Sequence, residues 1–274
     1  YASWNGGKSW EPFQLNLPNT PITDLKVHQG DLVVATSGRS FWILDDIIAL
    51  SQYQPSKKGL QILKPKDAYN GSWGSPLSGN SSSFTGSDAF NGINPANGVV
   101  LYYELPKLAE STAITLEIFD ANGKMIRTIS SEKDPTYKPH NGGGAPPAPV
   151  LSKEEGLNRF VWDMKYPIMP GVPDVYIEAG FSGHKVSPGT YTFTLKVDGQ
   201  TVSTTGVIKE VPNYETKPGQ YEEFDAFMTD AEAELTEMHN MVNLLYKAQQ
   251  DLAEVLKKVT DVEAKSKGEK LLAD

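Results

Sequence analysis

The sequence contains no cysteine among its 274 residues. Disulfide bonds, thiolate catalysis and cysteine-based zinc sites are therefore excluded. The four histidines, His28, His140, His184 and His239, are scattered along the chain without the spacing of metal ligands. We therefore expect neither a bound metal nor another cofactor.

Long hydrophobic runs are also absent. No stretch approaches the roughly 18 consecutive apolar residues of a transmembrane helix, and apolar stretches such as FWIL (residues 41–44) are only as long as a strand. Acidic residues outnumber basic ones by 34 to 25, and no basic patch of the kind that binds phosphates stands out. We expect no membrane span and no nucleic-acid partner.

Residues 1–50 have the pattern of short β-strands. DLVVAT (31–36) and SFWIL (40–44) are rich in β-branched and aromatic residues, and the turn sequence SGR (37–39) separates them. LKV (25–27) precedes them across another turn. Three short strands with tight turns make up most of one β-propeller blade, so this segment is predicted to be a blade remnant.

Residues 51–97 form a long segment dominated by Gly, Ser, Asn and Pro, and they include Trp73, Phe84 and Phe90. A loop of this length is expected to be either functional or a packed arm. The three aromatic side chains could stack on the faces of sugars. They could equally pin the arm to the neighbouring domain, and both interpretations remain open.

Residues 98–212 return to a β pattern. Two alternating runs between 114 and 130 flank the turn at 120–123, which is typical of a hairpin, and residues 198–200 mark a second hairpin tip. About six short strands separated by turn clusters predict an antiparallel β-sandwich. Trp162 is expected to lie in its core.

Residues 213–274 are predicted to form a helical tail, either one long α-helix or a helical hairpin. Apolar residues recur every three or four positions from Phe224 to Val262, as in the seam of a coiled coil. Seven acidic and no basic residues lie between Glu222 and Glu237, whereas lysines gather from Lys257 onward, which suits the helix dipole. SKGEK (266–270) is expected to end this helix and to begin a return helix.

The seam of this helix needs a partner, because a solitary helix that exposes such a stripe is unfavourable. The stripe from 224 to 262 would extend over roughly 58 Å at the standard helical rise. Strands are typically about 20 Å long, so one face of a small sandwich could not cover it. We therefore predict self-association through this helix, most simply as an antiparallel pair.

The opening stretch SWNGGKSW matches a known turn motif. The Asp-box, or BNR repeat, has the pattern Ser, any residue, Asp, any residue, Gly, two residues, Trp. Ser3, Gly7 and Trp10 fit this pattern, and Asn5 stands at the usual Asp position. We expect Asn5 to cap backbone N–H groups of the turn, Gly7 to permit the reversed backbone, and Trp10 to pack beneath the hairpin.

Longer segments extend the likeness to a family. Residues 21–46 resemble the last blade of bacterial sortilin-like BNR propellers, which are large secreted proteins of the glycosyl hydrolase type. Residues 156–167 and 187–201 resemble the Ig-like sandwich that follows the propeller in those proteins, and they are also similar to the Ig-like domain of flagellar hook-capping proteins. The resemblance implies the C-terminal part of a larger bacterial protein that is secreted, periplasmic or at the cell surface. Its remaining blades would be partners of this segment.

A single blade is not expected to supply all the residues that a glycosidase active site requires. Glycoside hydrolysis needs two carboxyl groups about 5 to 10 Å apart across a sugar, but Asp45 and Asp46 are adjacent and would point to opposite faces of a strand. They are expected to end a strand or cap a helix. Arg39 follows a glycine at a strand connection, where it could bind an anionic group or form a buried structural ion pair.

These observations predict a non-catalytic accessory region with no catalytic residue of its own. Two alternatives remain open. The chain could bind a glycan through the aromatic arm, or it could be part of a glycoside hydrolase whose active site lies in the absent blades.

Overall fold

The computed structural model describes residues 1–53, 59–71, 96–139, 144–175 and 180–273. Over these ranges the chain is mainly β, in three sheets, with a helical region at its C-terminal end, as predicted. The chain divides into two compact units. The first comprises Tyr1–Lys133, Pro149–Met164 and Lys185–Glu215, and the second comprises Asp134–Ala148, Lys165–His184 and Thr216–Asp274.

The first unit begins with a three-stranded antiparallel meander. Its strands are β1 (Ile22–His28), β2 (Asp31–Thr36) and β3 (Phe41–Leu44), in the order β1-β2-β3. A short helix, α1 (Ile47–Gln52), follows β3. The three predicted strands are therefore present, with tight turns where the sequence places Gly30 and Gly38.

Two further sheets make up the rest of the first unit. The smaller has the order β4-β6-β9, where β4 is Gln61–Ile62, β6 is Val99–Leu105 and β9 is Gly156–Trp162. The larger has the order β5-β11-β10-β7-β8. Its strands are β5 (Ala68–Tyr69), β7 (Ile114–Phe119), β8 (Met125–Ser130), β10 (Gly189–Val197) and β11 (Gln200–Lys209).

The larger sheet contains both predicted hairpins, β7–β8 and β10–β11. It departs from the predicted antiparallel pattern at one edge, where β5 pairs with β11 in parallel and Ala68 lies opposite Ile208. A two-residue strand with such a distant partner has no local sequence signal.

These two sheets, β4-β6-β9 and β5-β11-β10-β7-β8, face each other across an apolar core. Trp162 of β9 makes edge-on contacts with Tyr191 and Phe193 of β10, with ring centroids 5.5 and 5.8 Å apart. Trp162 is 1% exposed, so its predicted place in the core is confirmed. Along β7, Ile114, Leu116 and Ile118 are buried in alternation, because successive side chains of a strand point to opposite faces.

The second unit contains two helices, α2 (Gln220–Leu256) and α3 (Val262–Ala273). Of the two predicted alternatives, the structure has the helical hairpin. The prediction of one apolar-striped helix continuing to Val262 is wrong, because α2 ends at Leu256. The return helix also begins earlier than residues 266–270. Asp261 starts it, since its carboxylate accepts a hydrogen bond from the Ala264 N–H at 2.7 Å and acts as an N-cap.

The return helix folds back onto the end of α2. A Cβ atom built on Gly268 of α3 would collide with the side chain of Leu256, which is 8% exposed. Within the described residues, neither helix combines the length and apolar character that crossing a membrane would require.

Candidate functional site

The residues that resemble an Asp-box form a closed turn. The Asn5 side-chain oxygen accepts a hydrogen bond from the Ser9 N–H at 2.9 Å, and the Ser3 hydroxyl accepts one from the Gly7 N–H at 2.7 Å. Asn5 thus caps the turn in the way the motif predicts. Trp10 does not pack beneath the hairpin as expected, because its side chain is 62% exposed.

Arg39 lies on the exposed connection between β2 and β3. Its backbone N–H donates to the Thr36 hydroxyl at 3.2 Å, and its carbonyl accepts from the Trp42 indole N–H at 2.8 Å. The guanidinium makes no ion pair with any residue in the described ranges, so the alternative of a buried ion pair is wrong. Binding of an anionic group by Arg39 stays a prediction.

The aromatic residues of the predicted arm, Trp73, Phe84 and Phe90, lie outside the described residues. Their proposed contact with sugars therefore stays a prediction. The described part of the arm ends at Gly71 and resumes at residue 96.

Asp46 caps α1 rather than taking part in a carboxylate pair. It is 9% exposed and accepts a hydrogen bond from the Ala49 N–H at 3.4 Å. Its second carboxylate oxygen has no hydrogen-bond partner among the described residues. Burial raises the pKa of Asp46, and partial burial with the nearby charge of Asp31 raises that of Asp45. The expected capping role is confirmed for Asp46.

The carboxylate of Asp31, in the same region, has both a hydrogen-bond partner and an ion-pair partner. It accepts a hydrogen bond from the Asp46 N–H at 2.8 Å and forms an ion pair with Lys66 at 2.8 Å. Burial alone would raise the pKa of Asp31, but these hydrogen bonds and the charge of Lys66 outweigh it and lower the pKa. The carboxylate therefore anchors the start of α1 and is not poised to act as an acid.

The sheet β1–β3 carries exposed apolar side chains on both of its faces. Leu25 and Val27 of β1 lie on the face that also bears Val34, and they are 59% and 60% exposed. Phe41 and Ile43 of β3 lie on the opposite face and are 74% and 63% exposed. Neither apolar face is fully covered by the described residues.

The second unit contains a buried histidine between two carboxylates of α2. His184 Nε2 lies 3.1 Å from an Asp225 oxygen, and its Nδ1 lies 2.9 Å from a Glu232 oxygen. The ring stacks on Tyr166 at a centroid distance of 4.3 Å and meets Phe224 edge-on. Both ring nitrogens of His184 therefore face α2 carboxylates, and we call this arrangement the His184 clasp.

Further along α2, two more polar side chains bind the same segment, residues 165–184. His239 Nδ1 lies 3.0 Å from the Pro170 carbonyl oxygen, and the Asn243 amide donates to the Gly171 carbonyl at 2.8 Å. Together with Asp225 and Glu232 these residues form a polar stripe along one face of the helix, because helical positions seven and four apart lie on the same side. We call this the docked stripe.

The docked stripe was not predicted from the sequence, because the helix pattern was interpreted from its apolar residues alone. The signal that could have found it is the seven-residue spacing of Asp225, Glu232 and His239 beside the heptad seam. None of the groups of acidic residues and histidines in the described ranges has the arrangement of a metal site.

A groove of about 660 Å³ lies beside the docked stripe. Its walls are residues 166–170 on one side and a row of α2 side chains, including Thr229, Ala233 and Met241, on the other. Glu232 also lines the groove, but its carboxylate is engaged by His184.

One flank of α2, beside the docked stripe, is apolar and exposed. Five large apolar side chains there are between 40% and 70% exposed. A contiguous exposed apolar surface of this kind marks an interaction site. We call it the outer face, and its residues are Phe227, Leu235, Met238, Val242 and Leu245.

Comparison with known proteins adds no relative to this picture. No protein-family model, curated protein or solved structure matches the chain. The candidate functional features are therefore the surfaces with the clearest physical need for a partner. These are the two faces of the β1–β3 sheet and the outer face of α2.

Proposed function

We propose that this chain is a non-catalytic structural module of a larger, BNR-type β-propeller protein. The observation that carries the proposal is the pair of exposed apolar faces on the β1–β3 sheet. A propeller blade lies between two neighbouring blades and therefore needs apolar residues on both faces, whereas a sheet with one solvated face is apolar on a single side. Leu25 with Val27, and Phe41 with Ile43, are the side chains that neighbouring blades would cover.

The rest of the first unit supports the same assignment. The turn capped by Asn5 has the hydrogen bonds expected of an Asp-box. The two facing sheets around Trp162 have the layered arrangement expected of an Ig-like sandwich. In the proteins that this chain resembles, these domains are secreted by bacteria, so an extracytoplasmic location is part of the proposal.

Three ionisable residues that could carry chemistry have structural roles. Asp46 caps a helix, Asp31 pairs with Lys66, and both nitrogens of His184 face carboxylates. The partners of such a module are protein surfaces, namely other blades at the β1–β3 sheet and a helix at the outer face of α2.

The absence of catalysis is tested by assaying the purified chain against a panel of glycosides. We expect no turnover above that of buffer. Turnover that is abolished by a single carboxylate substitution such as Asp46→Asn would overturn the proposal and place an active site in this chain.

The blade assignment is tested separately with the double variant Phe41→Thr/Ile43→Thr. Threonine is well suited to strands, so we expect an unchanged unfolding temperature and weaker binding of a hydrophobic fluorescent dye. The matched control is Met125→Thr, an exposed apolar residue of β8 outside this sheet, which should leave dye binding unchanged. Loss of folding in the double variant alone would mean that this face is already a core, and the blade assignment would fail.

A further inference from the structure

The groove beside the docked stripe has apolar side chains on both of its walls. One wall is residues 166–170, none of which carries a charge. On the other wall, Met241 and Leu244 of α2 are 61% and 66% exposed. We infer that this groove binds a basic amphipathic helix of a partner protein, whose apolar side chains enter the groove. The inference is independent of the blade assignment, because every residue that lines the groove belongs to the second unit.

The size and shape of the groove fit a peptide. Its volume of about 660 Å³ lies within the range of ligand-binding clefts. The α2 residues that line it run from Thr229 to Leu244, which is a length of roughly 22 Å at the standard helical rise. A groove of this length matches about four turns of a helix that lies alongside α2, whereas a compact metabolite would contact only part of it.

Methionine supplies apolar contacts on both walls of the groove. Met169 lies on one side and Met241 on the other. The thioether side chain is flexible and polarizable, so it adapts to partners of different shape and is common at peptide-binding surfaces. Such walls accept leucine, methionine or phenylalanine side chains of a bound helix.

A row of three acidic residues follows the groove along α2. Asp230, Glu234 and Glu237 are separated by four and three residues, so they lie on the same side of the helix. All three are exposed, and Glu237 lines the groove itself. Within the described ranges, the ion pairs formed by carboxylates of α2 all involve other side chains. The acidic row therefore has no counter-charge there.

The charge of this row selects a basic partner. Like charges three or four residues apart destabilise a helix, and lysines or arginines of a bound helix would offset that repulsion. No basic residue is among the described residues that line the groove, so nothing there would oppose a cationic partner. The helix α2 itself contains nine acidic residues and one lysine. A second copy of α2 is therefore a poorer match for the groove.

A buried hydroxyl in the wall favours a peptide over a lipid chain. Thr229 lines the groove, and its Oγ1 atom is buried without a hydrogen-bond partner in the part of the chain that the structure describes. A buried hydroxyl without a partner is costly. A peptide offers carbonyl and side-chain acceptors for it, whereas a hydrocarbon chain offers none.

The binding is tested by fluorescence anisotropy on the full chain. The probe is a labelled amphipathic peptide of leucine and lysine, about 15 residues or four helical turns long. We expect saturable binding that weakens as the salt concentration rises, because exposed charges are screened. A peptide with glutamate in place of each lysine should bind at least about tenfold more weakly, since attractive contacts become repulsive. No binding of the basic peptide, or equal binding of both peptides, would overturn the inference.

The apolar part of the site is tested by filling the groove. Ala233 lines it, so Ala233→Trp should abolish the saturable binding. The matched control is Ala248→Trp, which places the same side chain at an exposed position of α2 outside the groove and should leave binding unchanged. Circular dichroism of each variant shows that α2 is still folded. Full binding by a folded Ala233→Trp would place the peptide elsewhere and refute the assignment.

The acidic row is tested with the triple variant Asp230→Asn/Glu234→Gln/Glu237→Gln. We expect binding of the basic peptide to weaken about tenfold, because each exposed ion pair contributes a factor of a few. The control, Asp251→Asn/Glu254→Gln/Glu263→Gln, removes the same charge from exposed positions outside the groove. It should change the affinity less than about twofold, since distant charges are screened. Equal losses in the two triple variants would mean that the attraction is not specific to the groove, contrary to the inference.

Two further measurements distinguish other occupants of the groove. Light scattering should show one peptide bound to one chain, and competition with vesicles of a neutral phospholipid should leave the peptide bound. A dimer that Ala233→Trp dissociates would assign the groove to a second copy of the chain. Displacement of the peptide by the vesicles would assign it to lipid. Either result would defeat the inference without bearing on the glycoside assay.

Discussion

Glu232 binds His184 twice. One carboxylate oxygen accepts a hydrogen bond from the His184 backbone N–H at 2.6 Å, and the other lies 2.9 Å from ring Nδ1. An Asp225 carboxylate oxygen lies 3.1 Å from the second ring nitrogen, Nε2. The same oxygen accepts a hydrogen bond from the Tyr166 hydroxyl at 3.1 Å. The His184 side chain is only 2% exposed, so water cannot replace these partners. Hydrogen bonds at a buried ring therefore help to fasten α2 to residues 165–184.

Replacing His184 by alanine should loosen α2. The substitution leaves the partly exposed carboxylates of Asp225 and Glu232 without their common partner, and losing hydrogen bonds to charged groups costs about 1.5 to 3 kcal/mol. We expect a loss of this size in denaturant unfolding of the second unit and faster hydrogen exchange of the α2 amides. The control is Glu263→Gln, which removes an exposed ion pair with Lys267 and should change neither measurement. Unchanged exchange in α2 after loss of His184 would contradict the clasp.

Replacing Asp46 by asparagine should not weaken the fold at neutral pH. Burial raises the folded-state pKa of Asp46, so its contribution to stability is present below the unfolded-state value of about 3.9 and is lost as the pH rises through the folded-state pKa. Asparagine still caps a helix, tolerates the left-handed backbone at φ 57° and carries no charge. We expect the unfolding temperature of Asp46→Asn to equal or exceed that of the wild type at pH 7.

The advantage of Asp46→Asn should disappear in acid, when the wild-type carboxyl is protonated. Unfolding temperatures at pH 7 and near pH 3.5 check this. Asp46→Ala is the control, because it removes both the charge and the cap, whose loss costs about 1 kcal/mol. A wild type that is clearly more stable than Asp46→Asn at pH 7 would show that the ionised carboxylate is favoured in the fold.

Replacing Gly98 by alanine should disrupt the smaller facing sheet. Gly98 has φ of 150°, and a Cβ atom there would collide with the Trp162 carbonyl oxygen. The backbone cannot move aside easily, because Val99 pairs with Trp162 at the start of the β6–β9 ladder. Backbone strain alone costs about 1 to 3 kcal/mol, and the collision adds to it.

Gly123→Ala is the matched control for Gly98→Ala. Gly123 also has a positive φ, 78°, but no atom lies within 4 Å of a Cβ placed there. Denaturant unfolding should therefore show a clearly larger loss of stability for Gly98→Ala. Equal losses would mean that the collision with Trp162 is relieved without cost.

The parts of this protein that the sequence predicted are those governed by neighbouring residues. The β7–β8 hairpin follows from alternating apolar residues on either side of Asp120–Gly123, and the Asn5-capped turn forms within a few residues. Side-chain alternation and turn preference act over such short distances, so a sequence pattern expresses them directly. The apolar seam of α2 was likewise visible as a spacing.

Which face of α2 docks was decided only by the tertiary structure. The sequence shows that Leu235, Val242 and Leu245 share a side of the helix, but their exposure depends on where residues 165–184 run. His184 selects the neighbouring polar side because it meets Glu232, a residue far away along the chain. The parallel pairing of Ala68 with Ile208 depends in the same way on a distant contact. Periodicity determines which residues share a surface, whereas burial of that surface depends on long-range packing that no local pattern encodes.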